Sequence, residues 1–308
     1  MKQIDANFFP GWVRKSITFT IDDGNVRLDR KFLDITEPAG LKGTFNLNTP
    51  LRRLDAQGYR DFYRGYEIAN HCRYHAYGFT PETTREIKNE PFDPETADKS
   101  CLYPTEEPDI YRVYTYNWCY VAKNEAYLAC TREATRELEA VFGEGTIKDY
   151  VWPCGEQKNA ALIEKLKVQG GFRSIRKTGC IGADSDFALP ADRMAWSYNA
   201  NNKNLPEISK QFEEYPDDGK LKFFCFGVHS HDFENADNWY VLEDFCHTFG
   251  NRPNDFWYAS VGEIFDYEDA IKALTITDTE IRNNSVIDLY VKVDGEPIVI
   301  KAHEAFAL

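Results

Sequence analysis

The stretch Ser16-Ile17-Thr18-Phe19-Thr20-Ile21-Asp22-Asp23-Gly24 decides how the chain folds. Its first six residues alternate hydroxyl-bearing with bulky apolar side chains and are rich in β-branched and aromatic types, the pattern of a strand. Two carboxylates and a glycine end it. Neighbouring side chains on a strand point to opposite faces, but a turn at the tip can swing both acids into one cavity. Such a tip suits a combined metal and base site. The plain alternative is an Asp-Asp-Gly turn between a strand and a helix.

Outward from this stretch the chain alternates strands and helices. A helix is expected over 30–39, where Phe32, Leu33 and Ile35 are apolar and Pro38 and Gly40 stop it. A second strand follows in Lys42-Gly43-Thr44-Phe45-Asn46-Leu47-Asn48. This strand–helix–strand opening predicts a parallel sheet. Further strands are expected at 66–70, 150–155, 172–175, 221–228 and 256–260, and helices at 125–142, 159–169, 239–249 and 261–274. After Leu274 the pattern changes to short alternating strands, 286–293 and 298–301, around an Asp294-Gly295 turn. The expected organisation is a parallel α/β barrel over 1–274 and a small β appendage over 275–308. Residues 76–118 show no clear period and read as a long surface excursion rich in tyrosine.

Three polar clusters fall at predicted strand C-termini: Asp22 with Asp23, His71 with His75, and His229 with His231. Strand C-termini of a parallel barrel share one face, and active sites form there. His71 and His75 are four apart, so on a helical turn both imidazoles would project to one side and could hold one ion. Two histidines and a carboxylate form a hydrolase or oxygenase ligand set. Two satisfied surface histidines are the alternative.

These residues resemble the motifs of the polysaccharide deacetylases, carbohydrate esterases with a NodB-homology domain. Phe19-Thr20-Ile21-Asp22-Asp23-Gly24 is similar to their first motif and His71-Cys72-Arg73-Tyr74-His75 to their His-Ser/Thr-x-x-His. Phe226-Gly227-Val228-His229 looks like their Leu-x-Leu-His. Of Arg-x-Pro-x-Gly, Val151-Trp152-Pro153-Cys154-Gly155 keeps only the proline and glycine. The resemblance spans about residues 12–270 and implies a distorted (β/α) barrel of about seven strands. It implies a hydrolase in which a metal-bound water attacks the acetyl group of an N- or O-acetylated glycan. Asp22 would be the catalytic base and His229 the general acid. Asp23, His71 and His75 would hold a divalent metal, Zn2+ or else Co2+, Ni2+ or Mn2+. The N–H of Cys154 would meet the oxyanion, and Phe226 and Val228 would wall the acetyl pocket. In that family the motif arginine orients the base, and here its place is taken by Val151. Arg176 is a candidate to reach the same carboxylate from the next strand. His231 and Asp232 are candidates for substrate contact or for orienting His229. A metal amidohydrolase acting on a small non-sugar amide, or a non-catalytic carbohydrate binder, are the competing readings.

Composition bounds the partners. Of 308 residues, 36 are Lys or Arg and 50 are Asp or Glu, a formal charge of −14. No basic patch stands out, so nucleic acid and anionic membranes are not expected partners. Aromatic residues make up 15% of the chain, enough to offer rings to a sugar as well as a core. Eight cysteines include no Cys-x-x-Cys pair, so neither a zinc ribbon nor a thioredoxin-type motif is expected. Scattered thiols, no apolar leader and no run of ~18 apolar residues make a cytoplasmic protein the expectation.

Overall fold

The computed structural model describes residues 2–77, 102–104, 110–113, 118–121, 124–153 and 159–308. The deciding stretch is a strand, Lys15–Asp22 (β1). The helix after it is Val26–Thr36 (α1), four residues earlier than expected at its start. Gly24 turns the chain at φ 63°, and the Asn25 side chain then accepts the Leu28 N–H at 3.4 Å, capping the helix before its apolar stripe begins. A Cβ on Gly24 would also lie 2.7 Å from Leu47.

The remaining units follow in order: Gly43–Thr49 (β2), Ala56–Phe62 (α2), Glu67–Arg73 (β3), Asn124–Phe142 (α3), Asp149–Val151 (β4), Ala160–Gln169 (α4), Ser174–Cys180 (β5), Trp196–Tyr198 (β6), Leu205–Glu214 (α5), Lys222–His229 (β7), Ser230–Asn235 (α6), Trp239–Phe249 (α7), Phe256–Tyr258 (β8) and Val261–Lys272 (α8). The helices α2, α5 and α6 and the strand β6 are not among the sequence expectations.

Seven strands run parallel in the order β6-β5-β4-β3-β2-β1-β7, and helices cover the outside. On one edge of β1, β7 pairs along its whole length. The other edge is shared, with β8 beside Lys15–Ile17 and β2 beside Phe19–Asp22. The sheet curls until the chain beyond β6 meets β7, where Asn199 N–H donates to the Cys225 carbonyl at 2.7 Å and Gly227 N–H to the Ala200 carbonyl at 2.8 Å. The fold is thus the distorted (β/α) barrel of about seven strands that the motifs implied.

Strand alternation sorts the side chains. Ile17, Phe19 and Ile21 of β1, Phe45 and Leu47 of β2 and Phe224, Phe226 and Val228 of β7 pack outward against α1, α5 and α7 in the main core. The inward positions are polar and buried: Ser16, Thr18, Thr20, Asp22, Thr44, Asn46, His71 and Arg176. At the strand N-terminal end this interior is closed by Arg173, paired with Glu67 and Asp266 at 2.7 Å each and with Asp149. A polar barrel interior must satisfy its own hydrogen bonds, and that requirement arranges the site at the other end.

The appendage forms Leu289–Val293 and Glu296–Ile300, paired antiparallel. Asp294 (φ 51°) and Gly295 (φ 86°) give the expected tight turn. Ile4–Asp5 adds to it as a third strand. In and just after 76–118, the described pieces Ala76–Tyr77, Leu102–Pro104, Ile110–Val113 and Trp118–Val121 form a four-stranded sheet, more regular than the excursion expected there. Among the described residues, no helix is long and apolar enough to cross a membrane.

Candidate metal and acid-base site

Asp22 is the last residue of β1, in register with His229 at the end of β7 and Asn46 on β2. Asp23 follows at φ 77°, a left-handed turn that carries its carboxylate toward the histidines. His71 lies within β3 and not on a helical turn. His75 is brought beside it by a backbone that turns through positive φ at Cys72, Tyr74 and His75. The helical i, i+4 expectation is therefore corrected, while the two rings still meet, 5.0 Å between centroids.

His71 Nδ1 lies 3.0 Å from the Val151 carbonyl oxygen. A carbonyl only accepts, so Nδ1 carries the proton and Nε2 keeps its lone pair. That Nε2 is buried and has no hydrogen-bond partner among the described residues. It is 3.5 Å from Asp23 Oδ1, and His75 Nε2 is 3.3 Å from the same oxygen. One donor atom from each of Asp23, His71 and His75 falls within 4.8 Å of the others. An orphaned imidazole lone pair, a second imidazole and a carboxylate fit a divalent ion that leaves positions open for water and substrate.

Asp22 and His229, the candidate base and acid, lie beside this set. Arg176 Nη2 donates to Asp22 Oδ1, and Asn46 Nδ2 donates to the same oxygen at 2.7 Å. Oδ2 makes no hydrogen bond to a described residue. Burial works to raise the Asp22 carboxyl, but the Arg176 guanidinium, helped by His71 and His229, outweighs it and holds the group below the usual carboxylate range. Arg176 is 1% exposed, so this charge is not screened by water. His229 caps α6: its N–H donates to Asp232 Oδ2 at 2.8 Å, and its Nδ1 lies 3.0 Å from the same oxygen. Burial alone would lower this imidazole. Asp232, with Asp22 and Asp23, raises it to about 9. His229 Nε2 points back at Asp23 Oδ2, 3.8 Å away. His75 is pushed the other way, down to about 4, by burial and the neighbouring His71.

His231 begins a helical turn, not a continued strand, yet its ring stacks on His229 with centroids 4.7 Å apart. With Asp23 it lines a cleft of about 340 Å³. Phe226 and Val228 do not wall a pocket at this site. They sit on the outward face of β7, and Phe226 packs on Phe19, Phe32 and Phe245. Period-two alternation explains the correction, because residues one and three before His229 must face away from it. The inward neighbour is Gly227, where a Cβ would strike the Tyr198 ring at 2.3 Å. Cys154 lies outside the described residues. Sequence reasoning missed Asn46 and the Val151 carbonyl. The first was signalled by the polar alternation Thr44, Asn46, Asn48, whereas a carbonyl leaves no residue-type signal at all.

No family model matches the chain, and no curated protein does. Solved structures do. Peptidoglycan deacetylase PdaC from Bacillus subtilis is 14% identical, over 84% of this chain and 94% of that one, with a TM-score of 0.44. The Xyl-CE4 domain of a multidomain xylanase from the hindgut metagenome of Trinervitermes trinervoides is 14% identical over 84% and 92%, TM-score 0.47. The catalytic domain of peptidoglycan N-acetylglucosamine deacetylase from Eubacterium rectale is 11% identical over 83% and 92%, TM-score 0.46. These proteins carry the names of the family whose motifs the sequence resembles. At such identities and scores they say nothing further about the chemistry, which rests on the side chains of this chain.

Proposed function

We propose that the chain belongs to the polysaccharide deacetylases and is a metal-dependent hydrolase removing acetyl groups from an N- or O-acetylated glycan or oligosaccharide. One observation carries the reading: Asp23, His71 and His75 bring three donor atoms within 4.8 Å of one another, and beside them stand the Asp22 carboxylate, paired with Arg176 and lowered in pKa, and the His229 imidazole, paired with Asp232 and raised. Pairs of titratable groups driven apart in this way are what an acid-base pair needs at neutral pH.

Asp23, His71 and His75 would hold a divalent ion such as zinc, which would polarise the acetyl carbonyl and lower the pKa of water beside it. Asp22 would accept a proton from water at Oδ2, while Arg176 and Asn46 keep Oδ1 occupied. His229 gives a proton from Nε2 to the departing amine or alcohol. Asp232 holds Nδ1, which fixes both the tautomer and the direction of the ring. The test is acetate release from N,N′-diacetylchitobiose and from an O-acetylated xylo-oligosaccharide with added zinc. Release by wild type, lost in D22N and in H229A with metal content unchanged, is the expected outcome. Release undiminished in D22N would refute the assignment of the base.

A further inference from the structure

We infer that the cleft beside Asp23 recognises an anionic group on the acetylated saccharide, through Arg52 and Arg53. This rests on the deacetylase reading above and names the substrate class it leaves open.

The loop after β2 emerges at the same end of the barrel as the metal set. It carries Arg52 and Arg53 into the lining of the 340 Å³ cleft that also contains Asp23 and His231, with Leu47 and Leu51 as its apolar wall. The loop is anchored, because Arg53 N–H donates to the Tyr59 hydroxyl at 3.0 Å and Tyr59 is 3% exposed. Both guanidiniums are exposed, and neither makes an ion pair or a side-chain hydrogen bond among the described residues.

Carboxylates outnumber cations by 14, and several other described arginines are paired with them: Arg14 with Asp5, Arg73 with Glu137, Arg193 with Glu268 and Asp269, Arg252 with Glu213 and Asp255. Two adjacent arginines left unneutralised at the mouth of a cleft, on an otherwise acidic protein, offer a fork for a carboxylate or phosphate. A sugar whose acetyl group lies at Asp23 can place a charged substituent, or a charged neighbouring sugar, against them. Leu51, half-buried in the same lining, adds an apolar patch beside them.

The test compares kcat/KM for acetate release from a disaccharide of N-acetylglucosamine and glucuronic acid with that from N,N′-diacetylchitobiose. A second pair, N-acetylglucosamine 1-phosphate and N-acetylglucosamine, separates phosphate from carboxylate recognition. The zinc-supplemented wild type should prefer an anionic member by about tenfold or more, and less so as salt rises. In R52A/R53A the ratio should fall toward one, and R52K/R53K should keep part of it. A wild-type ratio near one, or a ratio unchanged in R52A/R53A, overturns the inference. If none of these sugars releases acetate, the deacetylase reading fails, and calorimetric titration of the uronate disaccharide decides the inference separately. Heat of binding seen in wild type and absent in R52A/R53A supports it; equal binding, or none, overturns it.

Discussion

Arg176 donates to Asp22 from across the barrel, 154 positions away in sequence, and it stands in register with Val151 on the adjacent strand. Val151 occupies the position where the resembled motif has its arginine. The guanidinium is thus supplied one strand over, at the same height. A buried carboxylate without that partner would be driven upward by desolvation. R176A should therefore lower kcat/KM by on the order of 10²-fold at neutral pH. It should also move the acidic limb of the pH profile to higher pH, with R176K restoring part of both. Parallel loss at every pH, with no shift of the limb, would make Arg176 only a packing element.

His229 must be protonated to act as an acid, so activity falls as pH rises through its pKa, held near 9 by Asp232 together with Asp22 and Asp23. Removing Asp232 leaves burial to act with less opposition. D232N should shift the basic limb to lower pH and reduce kcat more than it raises KM. An unmoved basic limb would show that a group other than His229 sets it.

Asp29 is a separate case. It is buried on α1, accepting from Ser230 Oγ and from the Tyr63 hydroxyl at 2.7 Å each. Burial raises its carboxyl to about 7. A carboxyl raised in the folded state favours folding fully below its unfolded pKa near 4, and that contribution is lost as pH rises through 7. D29N should be more stable than wild type at pH 8, by up to about 4 kcal/mol, with the advantage shrinking toward pH 4. Urea unfolding at the two pH values checks this; an equal offset at both would contradict it.

Phe226 belongs to the outer core and not to the acetyl pocket. F226A should cost about 3–5 kcal/mol in urea unfolding, as a large core truncation does, while KM for the acetylated substrate stays within about twofold in the folded fraction. A large rise in KM without loss of stability would return Phe226 to the pocket.

Much of this was legible in the sequence, for reasons tied to particular residues. The alternation of Ser16 to Ile21 marked β1, and the strand–helix–strand pattern from there to Asn48 marked the parallel sheet. Polar residues at three predicted strand ends pointed to one face of the barrel. What stayed hidden was set by tertiary context. The start of α1 depended on a cap at Asn25 rather than on its apolar stripe. His75 reaches the site through left-handed backbone that no period encodes. The α5 helix was readable from Leu205, Ile208 and Phe212 behind Pro206, but that signal is short. The outward direction of Phe226 and Val228 followed from strand parity with His229, which the motif resemblance obscured.

The most direct measurement is zinc content and affinity, by elemental analysis and competition with a chelating dye, for wild type and for His71→Ala. The account predicts about one ion per chain in wild type and its loss in the variant, because His71 Nε2 is a buried donor with no hydrogen-bond partner among the described residues. A wild type that takes up no divalent ion, or a variant that binds as tightly as wild type, would contradict the metal site on which the proposed chemistry depends.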